Sequence, residues 1–362
     1  MILSDVHVPS KLTPAALDKY LASGWFRMGQ AVFTTNFLLF NNQFYSAIWI
    51  RTELQNWTPS PSQNQLMKKV LRDFQVQIKP FSYKPAYDIL FQLYKASLSF
   101  THSNSIEQLL FGGEIEPSIF DTYSIEVYDK KRLIGLGFFD IGAKSMAGVS
   151  CIFDPSYKKY SLGKFMMLQK MLWGKRAEIT YFYPGYIAPG YPTFEYKTTL
   201  APEATQCLRV QSKRWIKLEN FDLQSLPIHL LTEKIELLQQ KLAQAGIVSQ
   251  IFKYSYHDSN TVPHLRKFRL IDTPLFIALY KTTNMIFPII QYDFVENVFI
   301  LKRANKMYRV PLTEVPAEGF YEEYLLQANF VLFKTDDVDE MVEFASNKAN
   351  MYRFMLENKS LI

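Results

Sequence analysis

Residues 133–197 decide how the rest of the chain is read: LIGLGFFD (133–140), GVSCIFDP (148–155), running on as DPSYKKYSLGKFMMLQKML (154–172), then YFYPGYIAPGYPTFEYK (181–197). The first segment is an apolar, glycine-spaced strand that ends on Asp140. The second is a strand leading through Asp154-Pro155 into a helix start. There Ser161 is placed to cap the helix from Leu162, and Gly163 leaves room for a ligand near the first backbone N–H groups. The third is a strand broken by prolines and aromatic residues, closing on Tyr196-Lys197.

Outward from this block, the sequence reads as α+β. Thr13 and Pro14 start a short helix that stops at Gly24, and 24–53 holds strands. The cluster 58–63 is a turn and cap before QNQLMKKVLRDF. FQVQIKPF alternates as a strand, and Tyr83 to Phe100 carries apolar residues at helical spacing. IEQLLFGG is a short helix closed by glycine, and Tyr123–Tyr128 a strand whose Asp129-Lys130-Lys131 turn makes a hairpin with 133–140. After Phe221 come a helix over 226–245, a β-rich stretch over 268–312, and helices near 319–328 and 337–356. Three units are expected: 1–77, a small N-terminal α/β unit; 78–221; and 222–362, a C-terminal α+β extension. The element order in 78–221 matches a GNAT-like (N-acetyltransferase-like) domain, although order alone supports several folds.

Composition narrows the function classes. With 48% apolar and 20% charged residues, the chain is a soluble globular protein. A net charge of +6 is compatible with a polyanionic partner without requiring one. No apolar run approaches the roughly 18 residues of a membrane helix. The N-terminus lacks a basic stretch followed by an apolar core, so the cytoplasm is expected. Cys151 and Cys207 have no metal-ligand spacing, and His7, His102, His229, His257 and His264 are scattered. No metal and no cofactor are expected. Dinucleotide, P-loop, HExxH and GxSxG signatures are absent.

Between Ser156 and Arg176 there are six basic residues (Lys158, Lys159, Lys164, Lys170, Lys175, Arg176) and no acidic one. Such a run is a solvated face or, interleaved with Tyr157, Tyr160, Phe165 and Trp173, a surface for a nucleic-acid backbone and stacked bases.

DPSYKKYSLGKF resembles the DP–SLG signature of the arginyl-tRNA–protein transferases and their bacterial leucyl-tRNA–protein transferase relatives. YFYPGYIAPGYPTFEYKTTLAP is similar to that family's second signature, and Asp140 falls at its strand-ending Asp. GWFRMG (24–29) and PSPSQ (59–63) are similar to its Gly-aromatic-Arg and Pro-Ser-x-Ser-Gln segments. The likeness covers roughly residues 20–205. The sequence departs from the pattern where the family places cysteines between those two segments, at Ala147-Gly148-Val149-Ser150, at Pro184 and at Phe194-Glu195.

The resemblance implies transfer of an aminoacyl group from tRNA to the N-terminal α-amine of a protein beginning with an acidic residue. It makes Asp140, Ser161 and Lys197 the catalytic candidates. The N–H groups of Leu162, Gly163 and Lys164 would hold an oxyanion or the terminal phosphate. Tyr186 and Tyr196 would stack the terminal adenine, with Lys197 supplying charge, or the tyrosines would fill the core. Asp140 would hold the acceptor's ammonium, or cap a strand end. Arg27 and Arg51 would pair with its acidic side chain, or serve the scaffold. Lys158, Lys159, Lys170, Lys175 and Arg176 would contact tRNA. Two alternatives stay open: a coenzyme A-dependent GNAT-type N-acyltransferase, of whose pyrophosphate loop only Leu162-Gly163 is present, and a non-catalytic tRNA- or N-terminus-binding relative.

Overall fold

A computed structural model of the chain describes residues 3–98, 103–113, 117–279, 282–312 and 315–347. The N-terminal part contains β1 (Ser4–His7), α1 (Pro14–Ala22), β2 (Phe26–Met28), β3 (Ala31–Thr35), β4 (Phe37–Phe40), β5 (Gln43–Ser46), β6 (Ile48–Glu53) and α2 (Pro61–Asp73). Thr13 caps α1 by accepting from the Ala16 N–H, with Pro14 in the first turn. Ser60 and Gln63 form a reciprocal capping box at the start of α2, a feature that stabilises a helix by about 1 kcal/mol.

The middle part continues with β7 (Gln75–Pro80), α3 (Pro85–Lys95), α4 (Ile106–Phe111), β8 (Thr122–Asp129), β9 (Arg132–Ile141), β10 (Ser145–Phe153), α5 (Leu162–Arg176), β11 (Tyr181–Ile187), β12 (Thr205–Arg209) and β13 (Arg214–Lys217). This is the order expected of the GNAT-like region, and the chain has the expected α+β class. Eight strands form one sheet in the order β13-β12-β6-β11-β10-β9-β8-β7. β6, from the first expected unit, lies in the middle of this sheet, so a boundary at 77/78 runs through the sheet rather than beside it. α5 and α2 cover one face through Val70, Phe165, Met166 and Met171. On the other face, α3 and α4 pack Tyr87, Phe91 and Leu110 against Phe138 and Ile152, while α1 packs Leu17 and Leu21 near Tyr183.

The chain ends with α6 (Pro227–Gln244), β14 (Ser249–Tyr254), β15 (Leu275–Leu279), β16 (Ile286–Asp293), β17 (Val298–Arg309), β18 (Phe320–Tyr321), β19 (Tyr324–Thr335) and α7 (Val338–Ser346). The helix expected near 319–328 is instead strand. GFYEEYLLQA has apolar residues near helical spacing, but β19 pairs with β17 along most of its length, and those ladder bonds decide. The last expected helix is described only to Ser346, and 348–362 lie outside the described residues. This sheet borrows from the N-terminus. Leu3 and Phe37 sit in its core with Leu231, Ile235 and Phe294. Asp5 pairs with Arg266 at 2.6 Å, and the Ile228 N–H donates to Ser46 Oγ at 3.0 Å.

Candidate acyl-transfer site

The eight-stranded sheet opens at its centre. β10 and β11 run parallel and pair only over Ser145–Ala147 with Tyr181–Tyr183. Beyond that, β10 has a bulge between Gly148 and Ser150 on its β9 side, and β11 has an irregularity between Phe182 and Gly185 on its β6 side. A bulge bends and twists its strand, so two of them flanking one pair drive the strands apart. Gly185 supplies the required left-handed backbone, φ +92°.

The segment Pro192–Lys197, a 3-10 turn, folds back over this opening. Lys197 Nζ donates to the Tyr186 carbonyl at 2.7 Å, and lies 5.4 Å and 5.0 Å from the centres of the Tyr186 and Phe194 rings. No carboxylate pairs with it among the described residues. Burial among these apolar surfaces pushes its ammonium down to about 7. Tyr186 is half-buried, its ring edge-on to Trp49 at 5.2 Å, and burial raises its hydroxyl to about 12. Tyr196 is more open to solvent. Its hydroxyl is raised first by burial and then by the charges of Cys151 and Tyr94. A cavity of about 520 Å³ adjoins the bulge, lined by Phe26, Arg27, Gln30, Leu109, Phe111 and Val149 among others.

At the other end of the opening, the turn Pro155–Tyr160 leads into α5. Asp154 orders this turn by accepting from the Ser156 N–H at 2.9 Å and its hydroxyl at 2.7 Å, and by pairing with Arg132. Burial opposes ionisation of Asp154, but these donors outweigh it and hold the carboxyl below its ordinary value. Ser161 takes the left-handed conformation and makes no side-chain cap, contrary to expectation. The Leu162 side chain is core, so only its N–H is available to a ligand. Gly163 meets only the Phe153 ring, and Lys164 is exposed.

Several expected contacts are corrected. Arg27 and Asp140 do not face an acceptor: they pair with each other at 2.8 Å, both buried. Arg27 also donates to Thr122, to the Gly29 carbonyl and to the Leu110 carbonyl, so four of its five N–H groups are spent within the scaffold. Asp140 therefore ties β9 to the β2–β3 hairpin. Arg51 lies between the Tyr181 and Trp215 rings, 3.9 Å and 4.5 Å from their centres, with its Nε on Gln206. That places it on the α1 face, with no carboxylate partner among the described residues. Of the expected tRNA contacts, Lys158, Lys159 and Arg176 are exposed. Lys175 is turned inward, donating to the Gln55 and Trp57 carbonyls. Lys170 is fully buried. Trp49 and Phe26, which wall the site, were not singled out from sequence. Trp49 has no motif around it, Phe26 lies in GWFRMG beside the Arg27 that drew the reading, and only the sheet order brings both beside β11.

Among the described residues, no cluster of three His, Cys, Asp or Glu is arranged to hold a metal ion. No described helix is long and apolar enough to cross a membrane.

Residues 87–207 match the family model described as arginine-tRNA-protein transferase, C terminus. An aspartate/glutamate leucyltransferase of Leptospira interrogans is 26% identical over 218 residues, 59% of this chain and 82% of that protein. One from Stenotrophomonas maltophilia is 24% identical over 186 residues, 48% of this chain and 70% of that protein. Among solved structures, the L-PGS of Bacillus licheniformis aligns with a TM-score of 0.30 and 10% identity, covering 39% of this chain and 46% of that one. A tandem GNAT protein from the clavulanic acid pathway aligns at 0.31 and 11%, covering 54% and 58%. Residues 87–207 are thus similar to the C-terminal region of the arginine-tRNA-protein transferases.

Proposed function

We propose that the protein moves a leucyl or arginyl group from charged tRNA to the N-terminal α-amine of proteins that begin with an acidic residue, in the cytoplasm. The observation that carries this reading is Lys197: a half-buried lysine whose ammonium burial lowers to about 7, with no carboxylate partner among the described residues, beside the opening between β10 and β11. Aminolysis of an ester needs little more. An α-ammonium ionises near 7.7–8.0, and a neutral Lys197 amine accepts that proton. The freed amine attacks the ester carbonyl of the aminoacyl ribose. N–H groups at the opening, those of 162–164 among them, stabilise the oxyanion. As the tetrahedral species collapses, the ribose oxygen leaves with the proton held by Lys197, and the attacking nitrogen gives its surplus proton to the Lys197 amine thus freed, which releases it to water. The products are a peptide amide and a free tRNA hydroxyl. The exposed Lys158, Lys159, Lys164 and Arg176 attract the tRNA backbone.

The test is transfer of labelled amino acid from leucyl- and arginyl-tRNA to peptides beginning with Asp or Glu, with coenzyme A thioesters as a parallel donor. Transfer from a charged tRNA is expected. No transfer from either tRNA, or acylation from the thioester alone, overturns the reading.

A further inference from the structure

The one lysine of the basic run that is wholly inside the protein is Lys170, on α5. Its side chain crosses the sheet over Gly137, which faces Cys151 across the β9–β10 pair. A Cβ at Gly137 would stand 2.7 Å from Ile125 Cγ2, 3.1 Å from Lys170 Cε and 3.3 Å from Nζ, so the bare glycine leaves room for both side chains. The amine ends at the bulge: Nζ donates to the Ser150 carbonyl at 2.7 Å and approaches Cys151 Sγ at 3.3 Å. No carboxylate pairs with it among the described residues. Burial lowers its affinity for a proton, and the nearby Cys151 and Asp140 only partly offset this. An isolated buried amine is a liability for stability. Its presence needs another reason, and the atom it holds supplies one. The Ser150 carbonyl belongs to the bulge that turns β10 away from β11, where strand β10 has lost its partner on the side of the opening.

We propose that Lys170 is a positioning residue for acyl transfer: by fixing the Ser150 carbonyl, it holds the bulge peptide in the one orientation that presents its N–H to the donor's ester carbonyl. This rests on the transferase reading above. Lys170 touches no reacting atom. It acts through the Ser150–Cys151 peptide, whose N–H gains its strongest contact as the ester carbonyl oxygen becomes an oxyanion. The help is therefore felt in the transition state more than in substrate binding.

The experiment compares wild type with Lys170→Met and Lys170→Gln in the transfer assay. It also measures binding of two non-reacting donors: an amide-linked aminoacyl-adenosine, resembling the ground state, and a tetrahedral phosphonate analogue. Lys170→Met should lower kcat by about 100-fold, the scale of one lost oxyanion contact, and leave KM for charged tRNA within about 2-fold. Phosphonate affinity should fall by the same factor as kcat, and amide affinity should not. Lys170→Gln, which keeps a donor, should recover part of the rate. The midpoint of thermal unfolding for Lys170→Met should be unchanged or higher. The proposal is overturned if wild type transfers and Lys170→Met stays within about 3-fold of it. Equal losses for both analogues, or a rate loss that tracks a lowered unfolding midpoint, also overturn it. A wild type that transfers nothing removes the reading beneath it as well.

Discussion

Arg27 and Asp140 show what a single buried contact does here. Removing one partner strands the other charge in the core, at a cost of about 3–5 kcal/mol. Arg27→Met and Asp140→Asn should each shift denaturant unfolding by that amount, whereas a double apolar replacement should recover much of it; equal stability of single and double variants would contradict the pairing. Lys197 gives the pH dependence. Its folded-state value, about 7, lies below the ordinary lysine value of 10.5. Between those values the unfolded chain binds the extra proton, so this group's contribution to stability rises with pH across that window and is flat below it. Lys197→Met should therefore gain most stability at or below pH 7, a gain that shrinks towards pH 10. Transfer by wild type should rise with pH through about 7, and residual transfer by the variant should lose that step. Residue identities were legible from sequence; depth was not. Lys170 reads as one more member of a basic run because its helix carries lysines on several faces. Only the bare Gly137 on a neighbouring strand marks it as buried. Arg27 matched a motif, but what it touches, Thr122 and the Leu110 carbonyl, comes from segments far along the chain.

At the level of elements, the strand–strand–helix–strand order of 133–197 was readable because the apolar alternation, the Asp154-Pro155 stop and the Leu162 start are local signals. β19 was not, because a strand edged by polar residues reveals itself only through its partner. The sheet edge at β7 and β8 carries a further consequence. Burial of Glu126 opposes its charge, but donors from Tyr87, Tyr128, Lys79 and Lys84 win and bring the carboxyl down to about 2. A carboxyl depressed in this way contributes its stability above the unfolded value of 4.5, and loses it as pH falls towards 2. Acid unfolding followed by circular dichroism should be less steep over that interval in Glu126→Gln. An identical acid limb would show that the cluster does not hold α3 to the sheet edge.

At the scale of the molecule, the C-terminal sheet is bound to the rest by apolar side chains as well as by polar contacts. Phe37 and Leu3 are among its core residues, and Phe44 stacks on Phe320 with ring centres 6.0 Å apart. Ending the chain at 221 would leave those surfaces in water. The shortened protein should aggregate or melt well below the full chain, as light scattering and calorimetry would show; a truncated form as soluble and stable as the whole would make 222–347 a separable appendage.

β6 sits between β11 and β12, both of which are made long after it. On a translating ribosome, IWIRTE emerges first and waits while some 130 further residues are added before Tyr181 can meet Glu53, a delay on the order of ten seconds at ordinary synthesis rates. Throughout that wait, an apolar strand lacks both of its neighbours, and the opening that receives substrate cannot yet exist. This protein's assembly in the cell therefore depends on keeping one early strand unclaimed until just over half of the chain has been synthesised.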